Sequence, residues 1–378
     1  MSDLPQLPEL QKPSLGQKVM VFVQRQNTWL WVALGILVLA VAGAFTWWSI
    51  TKPSSSQKAP NLKGVPATSS PTPTVAPSPT PNPNISLLTG ATVSADQAKR
   101  PIIAVMVENH PDARPQSGLQ SAGVVYEALA EGGITRFQAY FQDTAAPTIG
   151  PVRSLRPYYI DWALEYGAPV AHAGGSADAL NLIGPTGLKA LNALVIGAPT
   201  FYRTNDRVAP HNLYTNSSLL DKLLAAKGWA KAPSFSPNAR TADAPSSTPA
   251  HPNIHIEYSS AGYAVDYKYE AASNSYSRYL AGKAHTDRNN GQIIKVKNVV
   301  VLYTGTTNLN DGYGHVKLDT IGKGNALVFR DGTATTGTWS KDSRTSRTKL
   351  LDGGGKEIPL TVGNTWYSIV PTTKPVTY

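Results

Sequence analysis

Cysteine is missing from all 378 residues. That excludes disulfides, a thiolate nucleophile and any cysteine-held metal. Charge is sparse: Asp, Glu, Lys and Arg together make up 15% of the chain. Acid is the scarcer sign, with 24 Asp+Glu against 34 Lys+Arg and a net charge of +10. The excess forms no basic stripe of the kind a nucleic-acid binder needs. Residues 100–250 hold 12 Lys+Arg and 11 Asp+Glu, a net of +1, so nucleic acid is not an expected partner. No GxSxG serine elbow occurs. The glycine clusters 322–325 (GKGN) and 352–356 (DGGGK) lack the strand–loop–helix setting of a phosphate loop, and their composition predicts hairpin turns. The 7 histidines show no metal-ligand spacing. His251 and His255 are four apart but sit in strand-like sequence. No metal and no cofactor are therefore expected.

One long apolar run is present. Residues 29–50, WLWVALGILVLAVAGAFTWWSI, carry no charge. At about 1.5 Å per residue such a helix covers the roughly 30 Å hydrocarbon core of a bilayer. Trp29 and Trp31 mark one end, Trp47 and Trp48 the other, as an interfacial belt requires. A single transmembrane helix is expected, with a short cytoplasmic tail over 1–28. Lys12, Lys18 and Arg25 before the span balance Lys52, Lys58 and Lys63 after it, so charge alone does not orient it. The short N-terminal flank and the stalk-like segment on the far side of the span place the N-terminus inside. That segment, residues 51–95, is rich in Pro, Ser and Thr, with nine prolines from Pro53 to Pro83. Such a stretch buries no core and favours extended polyproline II, a spacer outside the membrane.

Two globular regions come after the spacer, and the overall expectation is an α+β protein. Residues 96–229 read as a mixed α/β layered sandwich. Strands are predicted over 102–107, 124–130, 134–141 and 168–172, and helices over 157–166, 177–183 and 217–227. Gly132-Gly133 joins two of the strands in a hairpin. Ser154 is the expected cap of the first helix and Ser176 of the second. Residues 230–253, rich in Pro and Ser, read as a linker or long loop. From 254 to 378 the texture is short strands and turns, a mostly β domain.

Polar residues gather where the apolar runs of the first region stop. Glu108, Asn109 and His110 follow the first run, with Arg114 just beyond. Glu127, Glu131 and Arg136 lie on or near the hairpin. Arg153 and Arg156 precede a helix, where cations oppose the macrodipole and call for an acidic partner. His172 ends a strand, and Arg207, His211 and Asn212 cluster in a later turn. Eight of the twelve cations in 100–250 are Arg, the side chain suited to forked pairing with carboxylate or phosphate. Two explanations stay open. These residues line one cleft that binds an anionic ligand, or they form an internal network of arginine–carboxylate pairs.

The segments VENHPDARPQSGL, YEALAEGGITRF, GPVRSLRPYY, HAGGSADAL and FYRTNDRVAPHNLY resemble the YerB-like family of bacterial envelope proteins. SYSRYLAGKAHTD, IIKVKNVVVLY and GNTWYSIVP resemble its second half. The resemblance covers nearly everything after the spacer. It implies two consecutive domains of unknown function, a layered mixture of sheet and helix, and tethering outside the membrane. It brings no catalytic residue with it. Many members are lipoproteins anchored through a cysteine, and this sequence departs from that pattern. Two functions are carried forward. The first is a binding or assembly module for an anionic wall polymer or another polar envelope component. The second is a wall glycan or peptide hydrolase or transferase, with Glu108, Glu127 or Glu131 as acid/base and Arg153 and Arg156 as anion clamps.

Overall fold

The computed structural model describes residues 84–378. The predicted tail 1–28, the membrane span 29–50 and the spacer up to residue 83 lie outside the described residues. Among the described residues no helix is long and apolar enough to cross a membrane. The last part of the predicted spacer is built into the fold: Leu88 is a core residue, and Ser94 caps the short helix Ala95–Lys99 in a capping box with Gln97.

A ten-stranded mixed sheet is the frame. From the first region come β1 (Ile103–Glu108), β2 (Val124–Leu129), β3 (Thr135–Phe141), β4 (Val170–His172) and β5 (Ala190–Asn192). A second, smaller sheet is built on β6 (Asn253–Ile256), β7 (Val265–Glu270) and β8 (Ser275–Leu280). The rest of the large sheet comes from β9 (Asn298–Thr304), β10 (Gly322–Arg330), β11 (Thr333–Lys341), β12 (Lys349–Leu351) and β13 (Thr365–Pro371). Strand order across the large sheet is β12-β11-β10-β9-β13-β2-β3-β1-β4-β5. The seam between the two regions is therefore a strand pair. β13 lies parallel to β2, with Tyr126 opposite Tyr367 and Glu127 opposite Ser368, and parallel to β9 on its other side.

The composition of the strands explains their places. β9 and β13 are apolar on nearly every residue and almost wholly buried, as strands covered on both faces must be. One face of the large sheet presents Val105, Val125, Phe137, Val299 and Trp366 to Ile254, Ile256, Tyr267 and Tyr276 of the smaller sheet. The other presents Met106, Tyr126, Tyr140, Val300 and Tyr367 to helix α1 (Pro157–Glu165). The result is three layers: helix, sheet, sheet. Tyr126 stacks between Trp162 of α1 and Tyr367 of β13, at centroid distances of 4.9 and 4.5 Å. Each such pair is worth about 0.5–1.5 kcal/mol beyond its burial.

Helices α2 (Ala177–Thr186) and α3 (Ser217–Ala226) complete the helical content that positions the site. Ser176 caps α2 as expected. Ser154 does not cap α1. Arg156 occupies that position, and no side-chain bond closes the cap. The Gly132-Gly133 hairpin forms as expected, both glycines at positive φ, closed by Ala130 N–H to Ile134 O at 2.8 Å. Among the described residues the last α-helix ends at Ala226, and strands dominate beyond it. The stretch 230–253 carries a short strand, Arg240–Thr241, paired with Leu360–Thr361.

The cluster 322–325 is not a turn. It opens the nine-residue strand β10, while 352–356 is a turn as expected. Gly324 is required there by close approach. The Trp339 indole crosses it to donate to Tyr303 O at 2.9 Å. A Cβ on Gly324 would lie 2.6 Å from both Trp339 Nε1 and Tyr303 O. Gly324→Ala is expected to destabilise the protein by about 1–3 kcal/mol, measurable as a lowered urea midpoint.

Candidate functional site

Strand pleat decides where the predicted residues go. Successive side chains alternate between faces, so Glu108 and Arg136 share the helix-side face while Glu127 points toward the smaller sheet. Glu108 and Arg136 are directly paired across β1 and β3, but each takes other partners.

Glu127 is wholly internal. Its Oε2 is 2.7 Å from Nη2 of Arg278, both side chains 0% exposed. Trp366 Nε1 donates to the same oxygen at 3.0 Å and Thr135 Oγ1 to Oε1 at 2.9 Å. The Arg278 guanidinium lies 4.4 Å from the Trp366 ring centroid. His285 is in the same network. It contacts Arg278 Nη1 through Nδ1, and Nε2 lies 2.8 Å from Gln116 Oε1. Arg278 can only donate, so Nδ1 must accept and the ring is neutral with its proton on Nε2. Burial and the nearby Arg278 and Arg114 charges hold the His285 pKa well below its ordinary value. The network continues outward, Gln116 Nε2 donating to Glu108 O and to Asn109 Oδ1, both at 3.0 Å.

Glu131 binds two arginines. Arg136 Nη2 reaches Oε1 at 2.7 Å, and Arg156 grips Oε2 through Nε at 3.0 Å and Nη2 at 2.6 Å. Of the two cations before the helix, Arg156 thus finds its acidic partner in Glu131, while Arg153 pairs with Glu108. Burial pushes the Glu131 carboxyl up, but the charges and hydrogen bonds of Arg136 and Arg156 outweigh it, and the pKa falls below the usual range.

All but one of the remaining residues form a half-buried rim at the end of β1. Glu108, buried, has Arg153 Nε at 2.9 Å from Oε1 and His211 Nδ1 at 3.0 Å from Oε2. The Arg153 Nε–H is at ion-pair distance without being aimed at an acceptor. The guanidinium has no other partner among the described residues, and the side chain is 28% exposed. His110 stacks on His211 at 4.7 Å and 18°. One ligand atom each from His110, Asp112 and His211 lie within 4.8 Å of one another. Asn109 is buried, bonded to Thr135 Oγ1 at 2.7 Å and accepting from Arg114 Nε at 3.1 Å. Arg207 clasps the two loops of the rim together, donating to Ala113 O at 2.8 Å and Pro115 O at 2.9 Å. Asn212 braces its own loop through Thr204 O and Arg207 O. His172 stands apart, buried, with Nδ1 2.7 Å from Gly174 O.

The predicted set therefore divides. Glu108, His110, Arg153 and His211 meet at the rim, with Asn109, Arg114, Arg207 and Asn212 supporting it. Glu127, Glu131, Arg136 and Arg156 form internal pairs. A cavity of about 380 Å³ lies elsewhere, between α1, α2 and the 309–321 segment. None of the predicted residues lines it, and its buried Asp161 is taken up by Thr320 and Arg344.

Sequence reasoning missed Asp112, Gln116, Arg278 and His285. Asp112 sits in the same HPDAR turn as His110 and Arg114. Arg278 carried a signal, a lone cation inside the strand SYSRYL, but its carboxylate is 151 positions away.

Arg278→Met alone is expected to cost about 3–5 kcal/mol, since it strands Glu127 as an unpaired buried charge. Adding Glu127→Gln should recover most of that loss, read as the difference between the two denaturation midpoints. Acid should destabilise the fold in two stages. The His285 pKa is depressed when folded, so below about pH 6.5 the unfolded chain takes up a proton that the folded chain does not. That costs at most about 1.4 kcal/mol per pH unit. The Glu131 contribution is present above its unfolded pKa of about 4.3 and is lost as pH falls through its lower folded value. Melting temperatures at pH 7.5, 5.5 and 4.0 check this, and His285→Gln should reduce the upper stage, to which buried His172, its pKa also lowered, contributes with the same sign.

Two family profiles match this chain: "Protein of unknown function (DUF3048) N-terminal domain" over residues 88–230 and the corresponding C-terminal domain over 254–367. "Putative lipoprotein YerB" of Bacillus subtilis (strain 168) is 32% identical over 289 residues, covering 75% of this chain and 85% of that protein. The crystal structure of YerB protein from Bacillus subtilis is similar at a TM-score of 0.70 and 30% identity, covering 78% of this chain and 99% of that one. The two family matches, with the similarity to YerB over most of both chains, establish that the chain belongs to the DUF3048, YerB-like family.

Proposed function

We propose that this protein is a membrane-anchored, extracytoplasmic binding module that recognises an anionic or polar component of the cell envelope without transforming it. The observation that carries the reading is the fate of the three carboxylates that catalysis would need. Glu127 has every oxygen occupied inside the protein. Glu131 is held ionised by two guanidinium groups, so it has no proton to give near neutral pH. Glu108 is buried, with Arg153 on one oxygen and His211 on the other. What the rim leaves available to an anion is Arg153, whose terminal N–H groups have no partner among the described residues. A planar guanidinium with free donors is suited to phosphate or carboxylate.

The location rests on the sequence. The apolar run 29–50 would hold the protein in the membrane, N-terminus inside, and the proline-rich spacer would carry the rim away from the bilayer. The relative named as a lipoprotein supports the same side of the membrane. A lipid-bearing cysteine is not available in this sequence, and a helical anchor would take its place.

Full-length protein in nanodiscs should bind a phosphate-rich wall polymer more tightly than a neutral glycan. Arg153→Ala should weaken that binding about tenfold, the equivalent of one charge-assisted hydrogen bond. Equal binding by the variant, or release of cleaved wall fragments by the purified protein, would refute the proposal. A reporter fused after Tyr378 should be active only in its exported form.

A further inference from the structure

We propose that His110, Asp112 and His211 form a binding site for a divalent transition metal, with zinc the best fit. The inference rests on the rim's geometry and is independent of the anion-binding reading.

The ligand atoms are already close. His110 Nδ1 is 3.5 Å from Asp112 Oδ2, and His211 Nε2 is 4.0 Å from the same oxygen. Ligands bound at about 2.0–2.2 Å in a tetrahedron stand roughly 3.3–3.6 Å apart, so the gap to close is small. The second observation lies behind the first. His211 Nδ1 is 3.0 Å from the buried carboxylate of Glu108. That contact places the proton on Nδ1 and leaves the Nε2 lone pair facing Asp112. A carboxylate behind a ligating imidazole is the usual support of a metal-bound histidine, fixing its tautomer and raising its basicity.

The loops are set before any ion arrives. Pro111–Ala113 is a short 3-10 turn entered from His110, and Arg207 ties this turn to the loop that carries His211. Glu108 is taken up by Arg153, but Asp112 has no arginine or lysine partner among the described residues, only the two imidazoles, so its charge is free to meet a cation. Two imidazoles and one carboxylate select zinc or its neighbours over magnesium and calcium, which prefer all-oxygen sets. A metal lies in the plane of each ring it binds, whereas His110 and His211 now stack nearly parallel. Binding therefore requires the partly exposed His110 to rotate out of the stack. Its Nδ1 must also release the Asp112 amide, which it accepts at only 3.3 Å. Three protein ligands leave the fourth position open to solvent.

The test is titration of untagged, chelator-stripped, full-length protein with zinc alone, by calorimetry and by equilibrium dialysis with metal analysis. The expected result is one zinc per chain, not displaced by millimolar magnesium. His211→Ala and Asp112→Ala should each weaken binding at least tenfold. Glu108→Gln should weaken it by about 10–100-fold without removing a ligand. Asp112 is exposed and makes no core contact, so Asp112→Ala should melt with the metal-free parent, which separates lost binding from lost folding. Arg153→Ala should leave zinc affinity undiminished even if it abolishes anion binding. No zinc uptake at 1 mM, equal displacement by magnesium, or uptake unchanged in the His110→Ala/His211→Ala double variant would overturn the proposal.

Discussion

The ion pair between Glu127 and Arg278 is the constraint around which the molecule is arranged. Both groups are fully buried, and burial of an unpaired charge at either position would be prohibitive. The two must meet, and their meeting fixes how the smaller sheet lies on the larger one. Glu127 belongs to β2 and Arg278 to β8, so the pair joins the two matched family segments through their common interior. Thr135, Trp366, Tyr267 and His285 satisfy what the ions leave over. Two stretches that read as consecutive domains share a sheet and a core as a consequence.

The same network reaches the surface. From Arg278 it passes to His285, then Gln116, then the backbone of Glu108 and the side chain of Asn109. The rim residues thus sit on a strand end whose position is set from inside. His211, Arg207 and Asn212 come from a distant loop, yet Arg207 bonds to the carbonyls of the Pro111–Ala113 turn and its neighbour. Such support keeps the rim side chains within narrow limits.

Much of this is legible in the chain. The strands and helices of the first region fall within a few residues of where periodicity puts them, because apolar runs and Gly132-Gly133 speak for local structure. The internal use of the arginines is one of the two explanations that composition leaves open. The reach of each pairing is not legible. Glu108 and His211 are 103 positions apart, and no local pattern announces their contact. GKGN misleads because glycine has two uses. Its φ freedom marks turns, but at Gly324 what matters is the absent side chain beneath Trp339. Sequence spacing is equally silent about His110, Asp112 and His211 as a group, since two of them lie in one turn and the third arrives through the fold.

The position of β13 has a bearing on how the chain is made. Residues 365–371 lie mid-sheet, hydrogen-bonded to β2 on one side and β9 on the other. Synthesised from its N-terminus, the polypeptide presents β2 early and must keep that strand edge unsatisfied until residues 365–371 have emerged. The Trp366–Glu127 contact spans 239 positions, a separation that slows folding and lengthens exposure of apolar edges. Assembly is therefore a late, concerted event. Chaperones or proteases would meet a long but unclosed chain, and a nascent product ending before residue 365 has no means of sealing itself.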